Sequence, residues 1–111
     1  MILEARLQQE IYIWFHNQFP NYRGLLCYNL NNSKNRIDGA RNRSLGLQSG
    51  RSDLTLYFKG RAYMIELKTD AGRQSKQQKE WQRVIESHGF DYVIIRSLDE
   101  FKQFFINTVL K

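Results

Sequence analysis

A single mixed β-sheet flanked by helices is the α/β fold class that this sequence predicts, and three observations predict it. Apolar residues recur at helical spacing in some segments and at strand spacing in others, in the order helix, strand, weak helix, strand, strand, helix, strand, helix. The stretch SDLTLYFKGRAYMIELK, Ser52 to Lys68, reads as a hairpin. A helix lies between that hairpin and the last strand, which is the kind of crossover that two parallel strands need.

Residues 2–19 place Leu3, Leu7, Ile11, Trp14 and Phe15 at helical spacing, and Pro20 and Asn21 stop the helix. GLLCYNL, Gly24 to Leu30, reads as a buried strand that runs into the turn-rich NNSKN. RIDGARNRSLGL is a short helix weakened by glycine. The hairpin follows, with Lys59 and Gly60 as its turn. The loop TDAGRQ leads to Ser75, which opens a helix to His88, and Gly89 is its stop. FDYVIIRS is a strand and LDEFKQFFINTVL a final helix. Phe15, Phe19, Phe101, Phe104 and Phe105 fall at helical spacings and are core candidates. No repeat, low-complexity segment or linker divides the chain, so residues 1–111 are expected to form one domain.

Hydrophobic residues make up 41% of the chain and aromatics 14%, enough for a packed core. The longest apolar run, around Val93 to Ile95, is far too short to span a membrane. Charges in MILEARLQQE fall where a signal peptide needs its apolar centre, so a cytoplasmic location is expected. The lone Cys27 has no internal disulfide partner and reads as a buried, inert thiol. Two histidines, His16 and His88, give zinc chemistry little support, and His88 suits a helix C-terminus. Net charge is +6, which favours a polyanionic partner. Lys34, Arg36, Arg41, Arg43 and Arg51 cluster against the single acid Asp38. The alternative is a solvated basic face with no partner.

The hairpin carries the chemistry. With Lys59 and Gly60 as the loop, Phe58 faces Arg61 and, further along, Asp53 faces Glu66. Side chains alternate, so one face carries Leu54, Leu56, Phe58, Tyr63, Ile65 and Leu67. The other carries Asp53, Thr55, Tyr57, Met64, Glu66 and Lys68. Carboxylates placed directly opposite, with Cβ atoms roughly 4.5–5.5 Å apart, repel each other. A divalent cation relieves that repulsion better than one lysine, and hard oxygen ligands favour Mg²⁺, Mn²⁺ or Ca²⁺. The competing account is an exposed strand face on which Lys68 merely offsets Glu66.

SGRSDLTLYFKGRAYMIELKTDAGRQSKQQKEWQ resembles the VRR-NUC domain, a branch of the PD-(D/E)XK nucleases. The matching positions are Gly50, Asp53, Leu54, Glu66, Lys68, Gly72, Arg73, Ser75, Gln78 and Trp81, and GFDYVIIRSLDEF, EARLQ and NNSKN also resemble stand-alone members. Ser52 stands where proline is usual before the aspartate, and Lys76 where proline is frequent. The resemblance implies a restriction-endonuclease-like core and metal-dependent phosphodiester hydrolysis. Asp53 and Glu66 would ligate Mg²⁺ or Mn²⁺ with the backbone carbonyl of Leu67, and Lys68 would orient water or stabilise charge on the phosphate. Glu4 matches the family's first-helix acid, with Glu10 as the alternative, although an acid in a first helical turn is also favoured by the dipole. Gln78 matches the family's helix glutamine, while Ser75-x-x-Gln78 is equally a capping box. Arg73, Lys34, Arg36, Arg41 and Arg43 are phosphate-contact candidates, and Tyr57 suits either base stacking or packing. The resemblance further implies a phage or bacterial DNA endonuclease that prefers branched substrates, a homodimer like a Holliday-junction resolvase. The alternatives are a nuclease for flaps, nicks or ends, a catalytically silent nucleic-acid-binding module, and a small assembly protein.

Overall fold

A computed structural model describes residues 3–30 and 36–111. Helix α1, Glu4–Gln18, buries Leu7, Ile11 and Phe15 along one stripe. Pro20 then occupies the first position of a 3₁₀ turn, Pro20–Tyr22, where its missing N–H costs nothing. Strand β1 is Leu26–Tyr28, shorter than the Gly24–Leu30 span expected, and it is an edge strand rather than a buried one. The chain is still turning at Leu25, whose N–H donates to Tyr22 O, and Tyr28 is largely exposed. Helix α2, Arg36–Ser44, matches the short helix predicted from RIDGARNRSLGL.

The hairpin forms in the expected register. Strand β2, Leu54–Phe58, pairs antiparallel with β3, Arg61–Leu67, from Leu54↔Ile65 to Phe58↔Arg61. Lys59 at φ 50° and Gly60 at φ 78° give the left-handed two-residue turn that matches strand twist. Helix α3, Lys76–Ser87, carries the chain across the sheet to β4, Asp91–Ile95, which pairs parallel to β3. The four-stranded sheet has the order β1-β2-β3-β4. Helix α4, Leu98–Phe104, starts from a Ser97 cap and widens into a π-type turn at Phe105–Val109, where the sequence predicts one continuous helix.

The two faces of the sheet differ in kind. Leu54, Leu56, Phe58, Tyr63, Ile65, Leu67 and Ile95 are buried in one core with Leu7, Ile11 and Phe15 of α1 and Phe101, Phe105 and Val109 at the C-terminus. Phe105 is its hub: the rings of Phe15, Phe19 and Phe58 meet it edge-on at 5.2, 4.9 and 5.9 Å. Phe104 and Phe19 pack against this core from its margin. The opposite face carries Thr55, Met64 and Glu66, all buried, and α3 lies on that side with Trp81 edge-on to Tyr92 at 5.9 Å. Ser75 and Gln78 form a full capping box at its start. His88 closes its end, with Nδ1 2.9 Å from Val84 O.

Gly50 joins the loop before β2 to that helix. Its φ is +80°, and a Cβ there would come within 2.5 Å of the Gln77 carbonyl and 2.8 Å of Gln78 N. Only a residue without a side chain lets the loop rest on the α3 backbone. Gly50→Ala is expected to lower the unfolding free energy by about 2–4 kcal/mol, combining left-handed strain with displacement of backbone. Urea denaturation measures it, and an unchanged midpoint would mean that the loop is not seated on α3.

Candidate active site

Glu66 occupies β3, between β2 and β4, and its side chain is completely buried. One carboxylate oxygen, Oε1, accepts hydrogen bonds from the Tyr92 hydroxyl and from Gln74 Nε2 at 3.1 Å. Gln74 Nε2 also donates to Gln82 Oε1 at 2.8 Å. The other oxygen, Oε2, is buried with no hydrogen-bond partner among the described residues. Burial, and then the Glu66 carboxylate, push the Tyr92 phenol well above its ordinary pKa, so it remains a donor.

Asp53 lies at a bend one residue before β2 and is half-buried. Its Oδ2 accepts from Leu67 N at 2.7 Å, which brings the aspartate to the strand position beside Glu66. Its backbone oxygen accepts from Asn29 N at 2.9 Å. Buried Asn29 donates from Nδ2 to Ser52 O at 3.2 Å and to Thr55 Oγ1 at 2.8 Å. Ser52 is fully buried, and its hydroxyl donates to Leu54 O at 3.2 Å across the bend. The serine in the usual proline position therefore holds the bend by a hydrogen bond rather than by a ring.

Lys68 is half-buried just beyond β3 and forms no ion pair among the described residues. A lysine that simply neutralised Glu66 would sit within 4 Å of it, and this one does not. Gln78 Oε1 accepts from Ser75 N at 2.7 Å, within the cap. Gln74, four residues earlier, donates to Glu66 Oε1. Glu4 is exposed in the first turn of α1, and Glu10 is 3.7 Å from Arg6. No three His, Cys, Asp or Glu side chains gather as a metal cage among the described residues. Arg36, Arg41 and Arg43 are exposed on α2, and Arg73 is exposed in the loop after β3. Lys34 lies outside the described residues.

Sequence reasoning missed Gln74, Gln82, Tyr92, Asn29 and Arg96. Arg96 Nη1 donates to Asp70 O at 2.9 Å and Gly72 O at 2.8 Å, and so ties down the loop that carries Arg73 and Gln74. The density of glutamines around α3 (Gln74, Gln77, Gln78, Gln82) was the available signal.

The family model for the VRR-NUC domain matches residues 3–99. The chain belongs to the VRR-NUC domain family. A solved structure described as a VRR_NUC domain protein superposes with a TM-score of 0.81 at 18% identity, over 99% of this chain and 90% of that one. No curated protein matches. The mixed sheet with flanking helices is thus a nuclease-type fold, consistent with a PD-(D/E)XK-like core, and the family generally uses divalent metals.

The residues present fit such an ion. A buried carboxylate oxygen without a donor is costly, and a cation is the partner that removes the cost. Two carboxylates also suit Mg²⁺, which keeps waters and substrate phosphate as its other ligands. Without metal, Glu66→Gln replaces an unmatched charge by a neutral amide. It is expected to stabilise the protein in EDTA by about 1–2 kcal/mol, a rise in melting temperature of roughly 5 °C. A fall would mean that the Glu66 carboxylate holds the fold rather than waits for a ligand.

Proposed function

We propose that this VRR-NUC domain is a metal-dependent DNA endonuclease selective for structured, branched substrates and acting as a homodimer. The observation that carries this reading is the buried Oε2 of Glu66, beside Asp53 and without a hydrogen-bond partner among the described residues. Asp53, Glu66 and the Leu67 carbonyl would hold Mg²⁺ or Mn²⁺. When bound, the ion would polarise the scissile phosphate and lower the pKa of water.

The protein's own groups do the rest. Leu67 N fixes the Asp53 carboxylate from one side, while the Asn29–Ser52–Thr55 cluster fixes its backbone from the other. Lys68, which forms no ion pair among the described residues, orients water or stabilises negative charge on the phosphate. Arg73, exposed beside the site, contacts a backbone phosphate, and Arg36, Arg41, Arg43 and Lys34 extend the contact electrostatically. Gln78 and Glu4 are assigned to the site by family likeness. Gln78 supports it from the α3 cap, and Glu4 from the first turn of α1. A two-fold dimer presents two sites to two strands, which suits a junction. The products would carry 5′-phosphate and 3′-hydroxyl ends.

The test incubates the protein with a labelled four-way junction, a flap, a matched duplex and a single strand, under Mg²⁺, Mn²⁺ or EDTA. Metal-dependent cutting is expected, lost in Asp53→Ala and Glu66→Ala. Lys68→Ala should lower the cleavage rate by about 10²–10³. Symmetric cuts confined to the junction would support a resolvase. Salt-sensitive binding without cutting under any metal would overturn catalysis in favour of a silent DNA-binding module.

A further inference from the structure

We propose that Tyr92, backed by Gln74 and Gln82, is a positioning residue that fixes the plane of the Glu66 carboxylate and so the direction in which its other oxygen is presented to the metal. This rests on the metal-site reading above and adds the means by which the site is set before any ion arrives. Both donors that reach the carboxylate end on Oε1, and none of the described residues reaches Oε2. Turning the carboxylate plane away from this orientation would give up both bonds, so the oxygen without a partner among the described residues is held facing one direction.

Each donor is itself held. The Tyr92 ring is packed edge-on against Trp81 of α3. The Gln74 amide has two protons, of which one meets Glu66 Oε1 and the other Gln82 Oε1. Turned over, Gln74 would set its one carbonyl oxygen, an acceptor, against the Glu66 carboxylate and Gln82 Oε1, and both bonds would be lost. The acceptor-only carboxylate selects the Gln74 orientation that donates, and Gln82 Oε1, by accepting the other proton, holds the amide there. Helix α3, the loop before it and β4 each contribute one member, so the three strands of chain agree on a single carboxylate orientation.

Outer-shell partners of this kind typically change metal affinity or activity by 10–100-fold when removed. Mn²⁺ is titrated calorimetrically, without DNA, into the wild type, Tyr92→Phe, Gln82→Ala and Glu66→Gln, with metal-free circular dichroism and melting curves alongside. Tyr92→Phe is expected to bind Mn²⁺ about 10–100-fold more weakly with its secondary structure intact, and Gln82→Ala to show a smaller loss in the same direction. Cleavage by Tyr92→Phe should recover at saturating Mn²⁺, because a positioning residue shifts the metal dependence rather than the chemical step. Mn²⁺ affinity within twofold of wild type in Tyr92→Phe, while Glu66→Gln loses binding, would overturn the positioning role and leave the metal site standing. Should Tyr92→Phe fail to fold, Gln82→Ala and Gln74→Ala decide by the same criterion. Absence of Mn²⁺ binding in the wild type, or equal binding by Glu66→Gln, would remove the metal site itself and this inference with it.

Discussion

Glu66 is a carboxylate with no exposed surface, in the strand that pairs with both β2 and β4. Such a group is retained in a sheet only where its charge is met, and among the described residues it is met on one oxygen alone. Much of the surrounding architecture follows from that half-met charge. Helix α3 must lie over this face to exclude water, the loop before it must deliver Gln74, and β4 must bring Tyr92 alongside Met64. The parallel crossover is what allows one helix to serve all three requirements.

Asp53 is built by different means. It lies outside the ladder, so its place depends on the bend that precedes β2. That bend is bonded to β1 through Asn29, internally through Ser52 and to β3 through the aspartate itself. Gly50 then seats the same loop on the first turn of α3. The two acids are thus set by two independent systems that meet at Leu67. The Asp53 system uses only short side chains, Asn29, Ser52 and Thr55, which limits the entropy lost in ordering it, whereas the Glu66 system has to order the longer Gln74 and Gln82.

The parts of this molecule governed by local chemistry could be read from the sequence. Lys59-Gly60 fixed the hairpin register because a two-residue left-handed turn leaves no other pairing, and that register placed Asp53 towards Glu66. Ser75-x-x-Gln78 gave the start of α3 for the same kind of reason. Residues whose role depends on contacts distant in sequence were invisible. Gln74 is a loop residue until β3 and α3 are docked, Tyr92 is an ordinary strand aromatic, and Asn29 reads as one more residue of the first strand. Periodicity also cannot tell an edge strand from an inner one, so β1 was expected to be longer and more deeply buried than it is.

The sheet divides the phenylalanine cluster from the polar site, where Trp81 and Tyr92 are the rings that pack. Phe15, Phe19, Phe58, Phe101 and Phe105 all pack on the α1 and α4 side, away from Glu66. Most of the cohesion of the fold therefore lies behind the sheet, and the face that would meet a ligand is free to vary in front of it. A scaffold divided in this way is evolvable. Substitutions that retune recognition can accumulate without eroding the packing that keeps the chain folded, and distant relatives can share a shape while diverging in almost every residue.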